Sequence, residues 1–216
     1  MKVLFVPSKY KIPFSFKNIN LKKLPKTIGL ITTIQHANII KKIKDYLEKN
    51  NKKVIIGKSK FLEKAQMLGC DVSAATKIQN KIQAFLYVGS GKFHSLQLAL
   101  TTNKPVFIFN PLNEHFSELD KKEIQKIKAR KRGQKIKFLY SDVFGILVST
   151  KLGQNKLKEA LNLKEKLDKQ KKKAYIFTFN TLDTNQLENY PSIECWINTA
   201  CPGLSLEQPF IWHKDI

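Results

Sequence analysis

Short apolar runs and amphipathic stretches alternate along this chain in an order that occurs twice. Thr27-Ile28-Gly29-Leu30-Ile31-Thr32-Thr33 is a β-rich run, and Ala37 to Glu48 then places Ile39, Ile40, Ile43 and Leu47 on one helical face before Asn50-Asn51 ends it. Val54-Ile55-Ile56-Gly57 returns as a strand, Ala84 to Val88 gives another, Ser95 to Thr101 a helix, and Pro105 to Phe109 a closing strand. The pattern restarts at Phe144 to Thr150, whose end echoes Leu30 to Thr33. It continues with a helix over Asn155 to Gln170 bearing Leu157, Leu161, Leu163 and Leu167, a lysine run, and the return strand Ala174 to Phe179. Continuous apolar strands alternating with helices predict parallel sheets covered by helices. The expected fold is therefore α/β: two similar small domains with parallel sheets flanked by helices, related by internal duplication. Residues 1–112 form the first domain, 113–142 a charged helical connector and 143–216 the second.

The chain has 216 residues, of which 42% are apolar, enough to bury a core. No apolar run reaches the ~20 residues that span a bilayer, and the apolar start at Met1 to Pro7 is too short for a secretory signal, so the expectation is a cytoplasmic protein without a membrane partner. Lysine and arginine number 39 against 17 acidic residues, a net charge of +22. That excess suits an acidic protein or nucleic acid. Most of it is lysine on helix surfaces, which a solvated face explains better. The segment Lys126 to Lys137, with Arg130-Lys131-Arg132, is the strongest patch, yet it holds no aromatic until Phe138, which disfavours single-strand RNA binding.

In parallel sheets ligands collect at the carboxyl ends of strands. Thr32, Thr33, Gln35 and His36 follow one such strand. Gly89-Ser90-Gly91-Lys92-Phe93-His94 follows another, with glycines where strand turns into helix, which permits close backbone approach and turns amides toward an anion. It lacks the third glycine of a dinucleotide fingerprint and the ending of a P-loop. A plain tight turn explains it equally well. Ser149-Thr150-Lys151-Leu152-Gly153-Gln154 offers hydroxyls, a cation and a flexible glycine suited to a carboxylate or phosphate, and also reads as a capped helix start.

Three cysteines in a reducing compartment argue against a disulfide framework. Cys70, in Leu68-Gly69-Cys70-Asp71, and Cys201, in Thr199-Ala200-Cys201-Pro202-Gly203, both sit in turn chemistry, each after a strand-helix-strand unit. Equivalent loops of duplicated units are thus expected to aim two thiolates at one soft metal centre. Cys195 lies in an apolar strand-like run and reads as a small buried hydrophobe. No Cys-x-x-Cys pair exists, and His36, His94, His115 and His213 show no ligand spacing.

At these residues the chain resembles the archaeal diphthamide-biosynthesis enzymes, the 2-(3-amino-3-carboxypropyl)histidine synthases. The resemblance runs through Thr32-Thr33-Ile34-Gln35-His36, Gly57, Leu68 to Asp71, Gly89 to His94 with Leu98-Ala99-Leu100, Phe144 to Gln154 and Trp196 to Pro202. It departs at Gln97, Asn110-Pro111, Leu152 and Gly203. Members of that family are dimers of three-domain chains in which each domain gives one cysteine to a [4Fe-4S] cluster. S-adenosylmethionine binds the open iron and yields a 3-amino-3-carboxypropyl radical that adds to a histidine of translation elongation factor 2.

The resemblance implies that Cys70 and Cys201 are the ligands of the second and third domains. From their position at strand ends, and not from the resemblance, Gly89, Ser90, Gly91, His94, Ser149, Thr150, Lys151, Gly153 and Gln154 are expected to line the pocket for S-adenosylmethionine or the target histidine. No catalytic residue is assigned. The family's first domain is absent from this sequence, so the expectation is the C-terminal half of a split enzyme in a dimeric assembly, its third cysteine carried by a separate first-domain polypeptide. The alternatives are a non-catalytic partner subunit of such an enzyme and a basic RNA-binding α/β protein.

Overall fold

The computed structural model describes residues 4, 6–11, 13 and 15–216. Part of the apolar start weighed above as a leader, residues 1–3 and 5, lies outside the described residues. The chain divides into two compact units, 1–124 and 125–216.

In the first unit β1 (Thr27–Thr32) leads through a 3-10 turn (Ile34–Ile39) into α1 (Ile40–Lys49) and back to β2 (Lys53–Ile55). A long link carries the short α2 (Ser73–Thr76), followed by β3 (Ala84–Val88), α3 (Phe93–Thr102), β4 (Val106–Asn110) and β5 (His115–Glu118). The sheet order is β2-β1-β3-β4-β5, parallel except for β5, which turns back antiparallel on β4. The helical face foreseen in α1 is real: Ile40, Ile43 and Leu47 are buried against Ile28, Leu30 and Leu86 of the sheet. Each side chain so buried contributes ~1.5–3 kcal/mol.

The helix α4 (Lys121–Tyr140) begins in the first unit and runs into the second. There β6 (Val143–Ser149), α5 (Leu157–Lys169), β7 (Lys173–Phe179), β8 (Cys195–Asn198), α6 (Leu204–Glu207) and β9 (Ile211–Trp212) follow. The sheet is wholly parallel, in the order β7-β6-β8-β9. One face of it, with Phe144, Ile146, Val148, Ala174 and Ile197, packs on Ala160 and Leu167 of α5. Both sheets thus repeat one winding order, second strand at the edge, then first, third and fourth.

The stretch 113–142, expected as a helical connector, differs at its start. Asn110-Pro111 ends β4, Glu114 turns with φ +54°, and His115 to Glu118 pairs with β4 before α4 begins. An antiparallel return needs only a tight turn, whereas a further parallel strand would need a crossover.

Candidate functional site

The carboxyl end of β1 is where the first unit gathers its chemistry. The Thr32 amide donates to the Ala65 carbonyl at 2.8 Å and the Met67 amide to the Thr32 carbonyl at 2.9 Å, so residues 65–67 extend the sheet edge. They deliver the turn Leu68-Gly69-Cys70-Asp71, closed by paired backbone bonds between Leu68 and Asp71 at 2.9 and 3.2 Å. The Asp71 carboxylate accepts from Ser59 Oγ at 2.8 Å and from the Ser73 amide at 2.9 Å, tying the turn to its flanks. Partial burial pushes that carboxyl up. The bonds from Ser73 and Ser59 and the charge of Lys77 outweigh it and hold Asp71 below its ordinary value, so it stays ionised and the turn stays tied. Cys70 stands exposed at the tip.

This turn rests on the glycine loop. A Cβ placed on Gly69 would stand 2.3 Å from Cε1 of Phe93, the first residue of α3. Within the loop Gly89 is not a free donor, since its amide bonds to the Phe109 carbonyl at 3.0 Å. Gly91, at φ +71°, occupies the left-handed region that glycine alone enters without strain. Lys92 is held by Glu123 at 3.0 Å. His94 stacks on Tyr87, with ring centroids 6.1 Å apart, and meets Phe93 edge-on at 5.0 Å. Burial keeps the His94 imidazole below its ordinary pKa and pushes the Tyr87 phenol up to about 12, against a lowering bond from the Thr33 side chain. His36, buried and against Tyr10 at 5.2 Å, is lowered by burial as well.

In the second unit Cys201 leaves the end of β8 in a turn built by Asn198. This asparagine is wholly buried. Its Oδ1 accepts from the Ala200 amide at 2.9 Å, and its Nδ2 donates to the Cys201 carbonyl at 2.6 Å and to Ser205 Oγ at 3.1 Å. Thr199 adds two bonds, from its amide and its hydroxyl, to the Leu147 carbonyl. Cys201 is half-buried. β6 is paired directly with β8, so the loop after β6 lies at the same sheet edge. There Ser149 Oγ accepts from the Lys151 amide at 3.2 Å, Thr150 bonds back to Phe179, and Gly153 sits at φ +80°. Thr150, Lys151 and Gly153 are exposed and Gln154 half-buried. Sequence reading missed Asn198 as the organiser of this turn, although an asparagine just ahead of Cys-Pro is turn chemistry.

The two cysteine loops are not equivalent, contrary to the expectation from the duplicated pattern. Cys70 lies in the link between the second and third strands of its sheet, whereas Cys201 follows the third strand of its own. The first unit's counterpart of the Cys201 loop is the Gly89 to His94 segment. The reason lies in the links: residues 56–83 are long enough to tuck 65–67 beside β1, while 180–194 holds only a 3-10 turn (Thr184–Asn189).

Cys195 opens β8 opposite Phe144 in the core, and burial pushes its thiol up to about 11. The strongest basic patch is partly spent within the second unit. Arg130 donates to the Leu206 carbonyl, Lys131 pairs with Asp215 at 2.9 Å, and Gln134 donates to the carbonyls of Ser205 and Gln208. Among the described residues no three His, Cys, Asp or Glu side chains form a metal-sized group, and no helix is long and apolar enough to cross a membrane.

The family model described as "Putative diphthamide synthesis protein" matches residues 1–214. The 2-(3-amino-3-carboxypropyl)histidine synthase of Pyrococcus horikoshii is 34% identical over 199 residues, covering 91% of this chain and 56% of that protein. Subunit 1 of the synthase of Schizosaccharomyces pombe is 28% identical over 218 residues, 96% of this chain and 49% of that one. The crystal structure of Dph2 from Pyrococcus horikoshii with a 4Fe-4S cluster superimposes with a TM-score of 0.76 at 32% identity, over 90% of this chain and 57% of that one. The chain thus spans about half the length of these relatives, and its match to the family model across both sheets and both cysteine turns makes it a member of the diphthamide synthesis protein family.

Proposed function

We infer that this chain supplies two of the three thiolates of a [4Fe-4S] enzyme that transfers the 3-amino-3-carboxypropyl group of S-adenosylmethionine to a histidine of translation elongation factor 2. The observation that carries this is the contrast among its cysteines. Cys70 is exposed on a turn fixed from both sides and Cys201 half-buried on a turn fixed by Asn198, while Cys195 is sealed in the core with its thiol pushed up to about 11. A soft iron centre takes accessible thiolates, so the donor chemistry of Cys70 and Cys201 fits it and that of Cys195 does not. When bound, such a cluster supplies the electron that cleaves the sulfonium reductively.

Every other contribution belongs to the chain. Gly89, Ser90, Gly91 and His94 lie against the Cys70 turn through Phe93, and Ser149, Thr150, Lys151, Gly153 and Gln154 share an edge with the Cys201 turn. In this reading these loops hold the amino acid end of S-adenosylmethionine or the target imidazole: Lys151 offers a cation to a carboxylate, and His94, kept neutral by burial, offers a hydrogen-bonding ring without added charge. A cluster with one open iron needs a third thiolate, which Cys195 cannot give. It comes from polypeptide carrying the family's cysteine-bearing first domain, in a dimeric assembly in the reducing cytoplasm.

Anaerobic mixing of this chain with such a polypeptide, a reductant, elongation factor 2 and carboxyl-labelled S-adenosylmethionine tests the reading. Label enters the factor only with both chains present, and Cys70→Ala or Cys201→Ala abolishes it. Full transfer by either variant would instead favour an accessory subunit, and full transfer by this chain alone would remove the need for the first domain.

A further inference from the structure

A cleft of about 1010 Å³ opens in the first unit between the start of α1 and the segment 56–64. Its apolar lining comes from Ala37, Ile40, Ile56, Phe61 and Leu62. Around them stand four lysines, Lys41, Lys44, Lys58 and Lys64, against one acidic residue, Glu63. Glu63 is bound by Lys9 at 2.7 Å and Lys44 is paired with Glu48. Lys41, Lys58 and Lys64 are exposed and make no ion pair among the described residues.

Two further features point to an anionic occupant. Lys58 and Lys64 face each other as an antiparallel bridge, and like charges directly opposite in such a pair are unfavourable until an anion sits between or beside them. Between them, Phe61 is 84% exposed at the tip of the loop, with Lys60 Nζ 5.3 Å from its ring centre. An apolar side chain left in water beside an apolar cleft is a ready anchor for another chain.

We propose that this cleft docks an acidic amphipathic segment of a partner protein, its apolar face on Ile40, Ile56, Leu62 and Phe61 and its carboxylates on Lys41, Lys58 and Lys64. The lining favours a peptide over RNA, because it holds no arginine and a single aromatic, whereas single strands are held by successive aromatic platforms. Ser59, within the same segment, donates to Asp71 of the Cys70 turn, so an occupant would sit beside that turn. The inference is independent of whether Cys70 binds iron.

The test uses a labelled 20-residue helical peptide with leucines at i, i+3, i+4 and i+7 and glutamates elsewhere, its glutamine counterpart, a uridine 20-mer and anionic phosphatidylserine vesicles. Fluorescence anisotropy is read on the full chain for the three oligomers, and co-sedimentation for the vesicles. The glutamate peptide binds, and the triple variant Lys41→Glu, Lys58→Glu, Lys64→Glu weakens it by roughly tenfold or more, as buried charge complementarity does. Phe61→Ala weakens it too. A control with equal charge change, Lys22→Glu, Lys158→Glu, Lys166→Glu, weakens it far less. Equal loss in the control, equal binding of the glutamine peptide, or cleft-dependent binding of RNA or vesicles in preference to the glutamate peptide overturns the proposal.

Discussion

Gly69 lies so close to the ring of Phe93 that a Cβ on it would stand 2.3 Å from Cε1. One aromatic ring therefore fixes the height of the Cys70 turn above the glycine loop. Gly69→Ala forces either the ring or the turn to move, and overpacking of this kind costs about 1–3 kcal/mol. The variant should show a lowered urea midpoint and altered alkylation of Cys70, and Phe93→Leu in the same chain should restore both. Unchanged alkylation in Gly69→Ala would dissociate the turn from the loop.

Asn198 carries three bonds from a fully buried position. Asn198→Ala strips the partner from the Ala200 amide and the Ser205 hydroxyl and removes one from the Cys201 carbonyl, at ~1–3 kcal/mol for a buried group left unmade. Thermal melting should fall, and Cys201 should react faster with a thiol probe as its turn loosens, measured in a Cys70→Ala, Cys195→Ala background. Slower or equal labelling would mean that other contacts set the turn.

Alkaline stability follows from two buried acids. Cys195 is raised from 9.0 to about 11 and Tyr87 from 10.0 to about 12. Because both are raised on folding, the stabilisation is complete below the unfolded values and is lost as pH rises through the folded ones. Chemical denaturation between pH 8 and 11 should show stability falling from about pH 9, as the unfolded thiol ionises, and Cys195→Ala should flatten the first part of that fall. A pH-independent midpoint would show that the thiol meets solvent.

The acid side has the opposite sign. Burial lowers His94 and His36 from 6.5, so folding disfavours their protonated forms and stability declines as pH drops through the unfolded value toward the folded ones. In NMR titrations of the imidazole carbons, both should titrate below 6.5 and His94→Gln should remove part of the acid loss. A value above 6.5 for His94 would place a carboxylate beside it.

Much of this fold is legible in the pattern of apolar positions. Ala84 to Val88 and the strands beginning near Thr27 and Phe144 are continuous apolar runs, and Ile40, Ile43 and Leu47 mark a helix face, because burial on both faces of a sheet leaves an unmistakable run. β5 is not legible, since His115 to Glu118 is mostly polar and joins the sheet only because Asn110-Pro111 and Glu114 turn it back. The turns bearing Cys70 and Cys201 are readable from Gly69 and Pro202. Their non-equivalence is not, because it depends on residues 65–67 pairing with Thr32, a contact no local spacing encodes. The same holds for Gly69 against Phe93. Arg130 and Lys131 read as a charged patch, yet their charges are engaged by Leu206 and Asp215 near the chain's far end.

On the proposed reading, Cys70 and Cys201, and not Cys195, hold iron. Anaerobic iron and sulfide analysis with an absorption spectrum, on this chain joined to a first-domain polypeptide, decides which thiols those are. Wild type and Cys195→Ala should carry the full cluster, and Cys70→Ala and Cys201→Ala should each lose it. An intact cluster in either of the latter two, or its loss in Cys195→Ala alone, would rule out iron ligation by Cys70 and Cys201.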